Sequence, residues 1–594
     1  MPRYKAPVRD MQFILHDVLS LQNYSNLPGF SDASPDLIDQ ILEGGAKFAE
    51  DVLFPLNYSG DKEGCKRNPD ATVKTPDGFP AAYEQLVDAE WLSLSADPKY
   101  GGQGLPGVVN IAINEMQSSS NMAFSMYPGL THGAYQALLA GGSEEQKQTY
   151  VTKMINGKWS GTMNLTEPQC GTDLGLIKTK AVPQADGSYK ITGQKIWISG
   201  GEQDLSENII HLVLARIEGG PEGIKGISLF VVPKFIPDAD GNPGERNALE
   251  CGGLEEKMGI HGNATCVMNY DGATGWLVGE EHKGMRTMFV MMNEARLGVG
   301  MQGLAQAEIA YQNAADFARD RLQSRALSGP AAPEKPADPI IVHPDVRRML
   351  MDSRAFTEGA RAFMFWTALY GDLLHKSPDD AVRQKAGDYM ALMTPVVKAF
   401  LTDIGFKTTS ECLQLHGGIG YTQEMGVEQY MRDARIAMIY EGTNGIQALD
   451  LVGRKLAANG GRAIFTFFKE MDDFVGENAD NGDMKLFTDA LSDAKKKLEA
   501  GTTWLMQNGL SNFNNAAAAS TDYVHLFGYT AMAYMWAMMA KTALEKDDGS
   551  DPYYANKLKT ARYYMERVLP KASSHLDMLK AGAESMMALE ADAF

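Results

Sequence analysis

Tyr189-Lys190-Ile191-Thr192-Gly193-Gln194-Lys195-Ile196-Trp197-Ile198 sets β-branched and aromatic side chains between polar ones, directly after the turn pair Asp186-Gly187. That pattern predicts a strand leaving a tight turn. Ile209 to Ala215 and Ile227 to Val232 repeat the texture, with Gly219-Gly220-Pro221 as punctuation between them. Strands this closely spaced, with no long helices between them, predict an antiparallel barrel or sandwich over residues 160–284 rather than a Rossmann sheet. No strand-linked G-x-G-x-x-G occurs, so dinucleotide binding of that kind is unsupported.

On either side the pattern is helical. Ser34-Pro35 reads as a helix start, an N-cap followed by proline at the first helical position, and Ile38, Ile41, Leu42, Phe48, Val52 and Leu53 supply an apolar face. Helical patterns continue to about residue 157, broken by the glycine-rich loop Tyr100 to Leu105. They return after Arg296, where the prolines at 330, 333, 336, 339 and 344 mark the connection between two long antiparallel helices. Beyond residue 460, Ile464, Phe467, Phe468, Met471 and Phe474 fall on one helical face. Tyr523 to Ala540 runs uncharged for 18 residues, but its histidine, glycine and tyrosines suit a buried core helix better than a membrane span. The expected organisation is α+β: an arm over 1–34, a helical domain over 35–159, a β domain over 160–284, a helical bundle over 285–458 and a further helical domain over 459–594.

The 75 acidic and 55 basic residues leave a formal charge of -20, which argues against nucleic acid or an anionic membrane as the main ligand. Five scattered cysteines without C-x-x-C spacing fit a reduced, cytoplasmic protein with no structural metal. Met1 to Leu19 carries Arg3, Lys5, Arg9, Asp10 and Asp17 and so lacks the uninterrupted apolar core of a signal peptide.

One carboxylate stands out. In Ile439-Tyr440-Glu441-Gly442-Thr443-Asn444, Glu441 lies between an apolar, strand-like run (Ile436 to Tyr440) and a turn opening an apolar helix, with Thr443 or Asn444 as the N-cap. Apolar flanks would desolvate the carboxylate, raise its pKa and suit it to taking a proton from carbon. The competing reading is structural, since acidic residues near helix N-termini commonly do no more than complement the dipole.

The α, β, α, extra-α order and four motifs together resemble the acyl-CoA dehydrogenase family of flavoenzymes over about residues 35–455, with the remainder resembling the C-terminal extension of its longer members. The motifs are Leu165-Thr166-Glu167-Pro168-Gln169-Cys170-Gly171-Thr172-Asp173, then Gln194 to Ser199, then Asn293-Glu294-Ala295-Arg296 with Arg319-Asp320-Arg321, and finally Gln414-Leu415-His416-Gly417-Gly418-Ile419-Gly420-Tyr421. Met431 to Arg435 and Tyr440 to Thr443 follow at the family's spacing.

The fold implied is an N-terminal helical domain, a middle antiparallel β domain, a C-terminal four-helix bundle and an extra C-terminal helical domain. FAD is the implied cofactor, met by Met163, Leu165 and Thr166 at the head of the β domain and by Trp197 and Ser199 on its strand. Arg321, Gln414, Gly417, Gly418, Thr443 and Asn444 are the implied FAD contacts in the helical bundle. Thr172, Asn293, Arg296, Tyr440 and Gly442 are the implied acyl-CoA contacts. Many members carry Asp where this chain has Asn293. Glu441 becomes the base of an α,β-dehydrogenation, with enolate charge met by the flavin ribityl 2'-hydroxyl and the Glu441 backbone N–H.

Electron-transfer flavoprotein is the implied acceptor and a homodimer the implied assembly. Acyl-CoA oxidases share the fold and a long C-terminus, and some relatives are DNA-associated; the Thr-Glu-Pro segment and the acidic charge favour a dehydrogenase. The Met-Pro-x-Tyr-x-Ala-Pro start, the Met-Asn-Glu-Ala-Arg helix and the long tail most resemble the bacterial 3-(methylthio)propanoyl-CoA dehydrogenases of dimethylsulfoniopropionate breakdown. Straight-chain acyl-CoA dehydrogenases are the alternative.

Overall fold

The computed structural model describes residues 2–509 and 511–594. The chain forms two compact units, Gly44–Gly298 and Met1–Glu43 together with Val299–Phe594.

The Gly44–Gly298 unit begins with helices α1 (Pro35–Phe48, which enters it from the other unit), α2 (Pro55–Glu63), α3 (Phe79–Asp88), α4 (Gly107–Ser120) and α5 (Met122–Gly141). Ser34 Oγ accepts from Leu37 N at 3.3 Å, the N-cap its sequence predicted. Seven strands then form one sheet: β1 (Trp159–Asn164), β2 (Lys180–Pro183), β3 (Tyr189–Ser199), β4 (Asn208–Ile217), β5 (Ile227–Pro233), β6 (Leu249–Leu254) and β7 (Thr265–Val278). β3 pairs β2 and β7, β4 pairs β2 and β5, and β5 pairs β7, so five strands close on themselves. Closure removes the exposed edges that an open sheet would have to protect. The pairings are antiparallel except that β4 runs parallel to β1 and β2.

β4 shows why its sequence reads as an unbroken apolar run. Val213, Ala215 and Ile217 enter one core with Ile191, Phe230 and Met268, while Ile210, Leu212 and Leu214 enter another with Trp159 of β1 and Tyr135 and Leu138 of α5. A strand covered on both faces has no polar side to alternate with. α5 lies close on β1, where a Cβ at Gly161 would stand 2.5 Å from Ala134 Cβ.

In the second unit, α6 (Gly284–Asp320, which crosses the division at 298/299), α7 (Pro344–Lys376) and α8 (Asp380–His416) are the long helices. α6 and α8 touch backbone to backbone: a Cβ on Gly405 would lie 2.3 Å from the Gly303 carbonyl. α9 (Glu428–Arg435) and α10 (Asn444–Asp450) complete the bundle, and α11 (Arg462–Glu477), α12 (Lys485–Asn508), α13 (Phe513–Lys546), α14 (Pro552–Tyr563) and α15 (Lys571–Lys580) form the extra helical part.

The uncharged stretch of α13 is core: Tyr523, Phe527 and Trp536 are buried, and Trp536 Nε1 donates to the Ala355 carbonyl at 3.1 Å. Among the described residues no helix is long and apolar enough to cross a membrane. The N-terminal arm packs into this same unit through the helical turns Val8–Gln12 and Phe13–Val18, with Phe13, Ile14 and Leu15 fully buried.

Candidate active site

In the Gly44–Gly298 unit, the motif residues gather on a bulge of β3. Lys195 faces Met268 and Ile198 faces Cys266, so Ile196 and Trp197 share a single partner, Val267. Trp197 takes the left-handed conformation (φ 59°), a strained choice for a bulky residue, and its indole ends 61% exposed. A large aromatic turned outward at the expense of backbone strain points to a ligand rather than to a core.

The Thr-Glu-Pro segment is tied to this bulge. Ile196 N donates to the Thr166 carbonyl at 2.9 Å, and Thr162 Oγ1 donates to the Ser199 carbonyl at 2.7 Å. Beneath them lies a buried ion pair, Lys195 Nζ to Glu167 Oε1 at 2.8 Å, with Lys195 also donating to the Leu165 carbonyl at 2.9 Å. Glu167 further accepts from the backbone N–H groups of Lys178 and Thr179 and from the Thr179 hydroxyl. Burial alone would raise the Glu167 carboxyl, but Lys195 and these donors outweigh it and hold it at about 2.

Met163, Leu165, Thr166 and Ser199 are therefore half-buried on rigid backbone beside Trp197, while Thr172 stands exposed on the following turn. In the first turns of α6, Asn293 is exposed and Arg296 buried, with Arg296 Nη1 3.4 Å from Asn293 Oδ1.

In the other unit Glu441 is half-buried, and it too is left-handed (φ 58°), followed by Gly442 at φ 82°. Two successive left-handed residues make a sharp turn, and both of its carbonyls are captured. Gln447 Nε2 donates to the Glu441 carbonyl at 3.0 Å, and the buried Lys398 Nζ donates to the Gly442 carbonyl at 2.8 Å. Thr443 is the N-cap of α10, its hydroxyl accepting from Ile446 N at 3.3 Å. Tyr440 donates its hydroxyl to Gln302 on α6, and burial first, then the charge of Glu441, holds its phenol well above the ordinary range. The Glu441 carboxylate thus projects from a loop fixed on α6, α8 and α10.

One expectation changes. Ile436 to Tyr440 is no strand: Ile436–Met438 is a 3₁₀ turn continuing α9. Its buried positions, Tyr430, Ala434 and Ala437, recur at three to four residues, so the helical period overrides a short apolar run that both templates fit. Asn444, expected to meet the cofactor, also ties its side chain to α8. It donates to Asp403 Oδ1 at 2.6 Å and Thr402 Oγ1 at 2.9 Å, and accepts from Lys398 at 2.7 Å.

Elsewhere in this unit Arg321 is exposed with its guanidinium 5.5 Å from the Phe317 ring, and Gln414, Gly417 and Gly418 are exposed at the end of α8. A Cβ on Gly417 or Gly418 would meet no described atom of this chain within 4 Å. Each unit by itself offers groups that suit part of a flavin nucleotide: in the Gly44–Gly298 unit an open indole to stack, and in the other a guanidinium for a pyrophosphate and bare glycine backbone for close approach.

The sequence reading missed Lys195 and Lys398. For Lys398 the signal is a lone lysine inside an apolar run (Val396-Val397-Lys398-Ala399-Phe400), since a buried ammonium must have partners waiting.

Residues 61–158, 162–273 and 282–456 match the N-terminal, middle and C-terminal domains of acyl-CoA dehydrogenase, and residues 467–590 the acetyl-CoA dehydrogenase C-terminal like family. The chain is 43% identical over 98% of its length to the 3-methylmercaptopropionyl-CoA dehydrogenase of Ruegeria pomeroyi, covering 99% of that protein. It belongs to the acyl-CoA dehydrogenase family. The broad-specificity linear acyl-CoA dehydrogenase FadE5 of Mycobacterium tuberculosis is 35% identical, each chain covered in full. Among solved structures, the acyl-CoA dehydrogenase of Bacillus anthracis complexed with FAD superposes with TM-score 0.74 at 21% identity, covering 94% of this chain and 91% of that one, and supports the same fold. Acyl-CoA dehydrogenases are FAD-dependent oxidoreductases, and this chain is one of them.

Proposed function

We propose that Glu441 is the base that removes the α proton of an acyl-CoA thioester, and that the physiological substrate is 3-(methylthio)propanoyl-CoA, converted to 3-(methylthio)acryloyl-CoA. The observation that carries the first part is the loop itself. Its left-handed Glu441-Gly442 turn has both carbonyls bound, which fixes a carboxylate whose role demands placement. The chemistry that FAD supplies when bound is acceptance of the β hydrogen as hydride.

What the chain does is hold and aim. The Glu441 carboxylate takes the α proton, and its backbone N–H is the donor proposed for the developing enolate oxygen, a type of contact worth about 3–4 kcal/mol. Met163, Leu165, Thr166, Trp197, Ser199, Arg321, Gln414, Gly417, Gly418, Thr443 and Asn444 are proposed to meet FAD. Thr172, Asn293, Arg296, Tyr440 and Gly442 are proposed to meet the acyl-CoA.

Support for the thioether substrate is the full-length likeness to the Ruegeria enzyme. Ranking acyl-CoAs by kcat/KM tests it: 3-(methylthio)propanoyl-CoA should lead, and a butyryl- or longer-chain thioester leading by tenfold would overturn the assignment. Electron-transfer flavoprotein is the proposed acceptor, so oxygen consumption with substrate alone should be slow; rapid consumption would make the protein an oxidase. A cytoplasmic homodimer is proposed for the assembly, which light scattering checks.

A further inference from the structure

One side-chain path runs from the extra C-terminal helical segment to the loop of Glu441. Asn444 opens α10 three residues after Glu441, and its amide is oriented by four contacts on α8: Lys398, Ala399, Thr402 and Asp403. Asp403 uses Oδ1 for Asn444 and turns Oδ2 to His525 Nε2 of α13, 3.0 Å away. His525 Nδ1 is buried and has no hydrogen-bond partner among the described residues, so the aspartate contact is what fixes the tautomer, with the proton on Nε2.

The ring is held in place as well. It stacks on His575 (centroids 4.9 Å apart, planes 20°), whose own Nδ1 lies 2.9 Å from Asp522, and Phe400 meets it edge-on at 5.6 Å. One turn further along α13, a Cβ on Gly528 would stand 2.2 Å from Phe400 Cγ, so α13 lies in direct contact with the turn of α8 that carries Asp403.

We propose that His525 is a positioning residue for the dehydrogenation: by donating to Asp403 it fixes the carboxylate that orients Asn444, and so sets the loop that aims Glu441. This rests on the reading of Glu441 as the base. With the His525 donor removed, Asp403 is free to rotate from Asn444, and the first turn of α10 loses one of its ties to α8. Misplacement of a catalytic group by about 1 Å can cost up to a hundredfold in rate.

Two substitutions separate hydrogen bonding from packing. His525→Phe keeps the ring and its stacking but has no donor; His525→Gln keeps a donor but has no ring. Anaerobic stopped-flow reduction of the holoenzyme's flavin by acyl-CoA should slow about tenfold in His525→Phe, with substrate KM within twofold of wild type and FAD content unchanged, and should stay near the wild-type rate in His525→Gln. A fast His525→Phe, or a His525→Gln as slow as His525→Phe, overturns the proposal. Should His525→Phe fail to fold, His525→Leu replaces it in the same comparison. Glu441→Gln is measured alongside. If it reduces flavin at the wild-type rate, the base assignment fails and the proposal fails with it; if it is inactive while His525→Phe is fast, only the positioning role is lost.

Discussion

Trp197 and Glu441 share an uncommon property: each holds a left-handed backbone conformation that its side chain disfavours, and each stands in one of the sequence motifs. For Trp197 the strain, of order 1–2 kcal/mol for an L-residue in this region, keeps a mostly exposed indole turned outward. Trp197→Gly should therefore leave the FAD-free protein as stable as wild type, or up to about 1 kcal/mol more stable, while weakening FAD binding at least tenfold. Urea unfolding of the apoprotein and FAD titration check the two halves. A loss of 3–5 kcal/mol, as for a core tryptophan, would show the indole to be packing. For Glu441 the corresponding variant is Glu441→Gln. It should bind FAD and acyl-CoA yet reduce flavin at least 10²-fold more slowly, the least that loss of a general base typically costs. Anaerobic bleaching of the flavin band gives the rate directly.

At the scale of elements, the β3 bulge and the Thr-Glu-Pro turn act as one piece because Lys195 and Glu167 are joined beneath them. Lys195→Met would leave Glu167 buried without its cation, a change that costs about 3–5 kcal/mol when one partner of a buried pair is removed. The double variant Glu167→Gln/Lys195→Met should recover part of that loss. The pair also sets an acid limit. Glu167 titrates at about 2 in the folded protein against an ordinary 4.5, so its stabilisation is complete above pH 4.5 and is lost as pH falls from there toward 2. A shift of that size corresponds to about 3 kcal/mol. Urea unfolding between pH 6 and 3 should show the greater part of this loss in wild type and a flatter profile in the double variant. The strand itself was legible as a period of two, but the bulge was not, since it exists only in register with Val267 on β7, some seventy residues away. In the same way Thr443 is legible as an N-cap from local pattern, whereas the turn at Ile436–Met438 is not, because the five apolar residues Ile436 to Tyr440 satisfy a strand and a helix alike.

Across the whole chain, the readable part was the order of helical and strand-forming segments, which local periodicity carries. The unreadable part was how distant segments pair. The clearest case ties residue 10 to positions 351 and 547 residues further on: Asp10 Oδ2 accepts from Arg361 at 2.6 Å, Oδ1 accepts from Lys557, and Tyr553 donates its hydroxyl to Oδ1 at 2.7 Å. Arg361 also meets Glu308 at 2.9 Å and Lys557 meets Glu358, so three acids and two cations are sealed within one unit. Nothing in the local sequence around Asp10 announces this, because an acid in a short amphipathic turn ordinarily faces water. Burial would raise the Asp10 carboxyl, yet Lys557 and Arg361 hold it well below the carboxylate range. Its contribution is therefore present above about pH 4 and lost in acid. Asp10→Ala leaves two buried cations with one acid fewer and should cost about 3–5 kcal/mol at pH 7, with Asp10→Asn, which keeps an acceptor, costing less. The loss should appear in the urea transition and as faster amide exchange in Phe13–Val18, which the cluster holds against α7 and α14, and it should leave flavin reduction at 25 °C unchanged. If exchange there stays at the wild-type rate, the arm is held by its buried Phe13, Ile14 and Leu15 alone and the ion cluster is incidental to it.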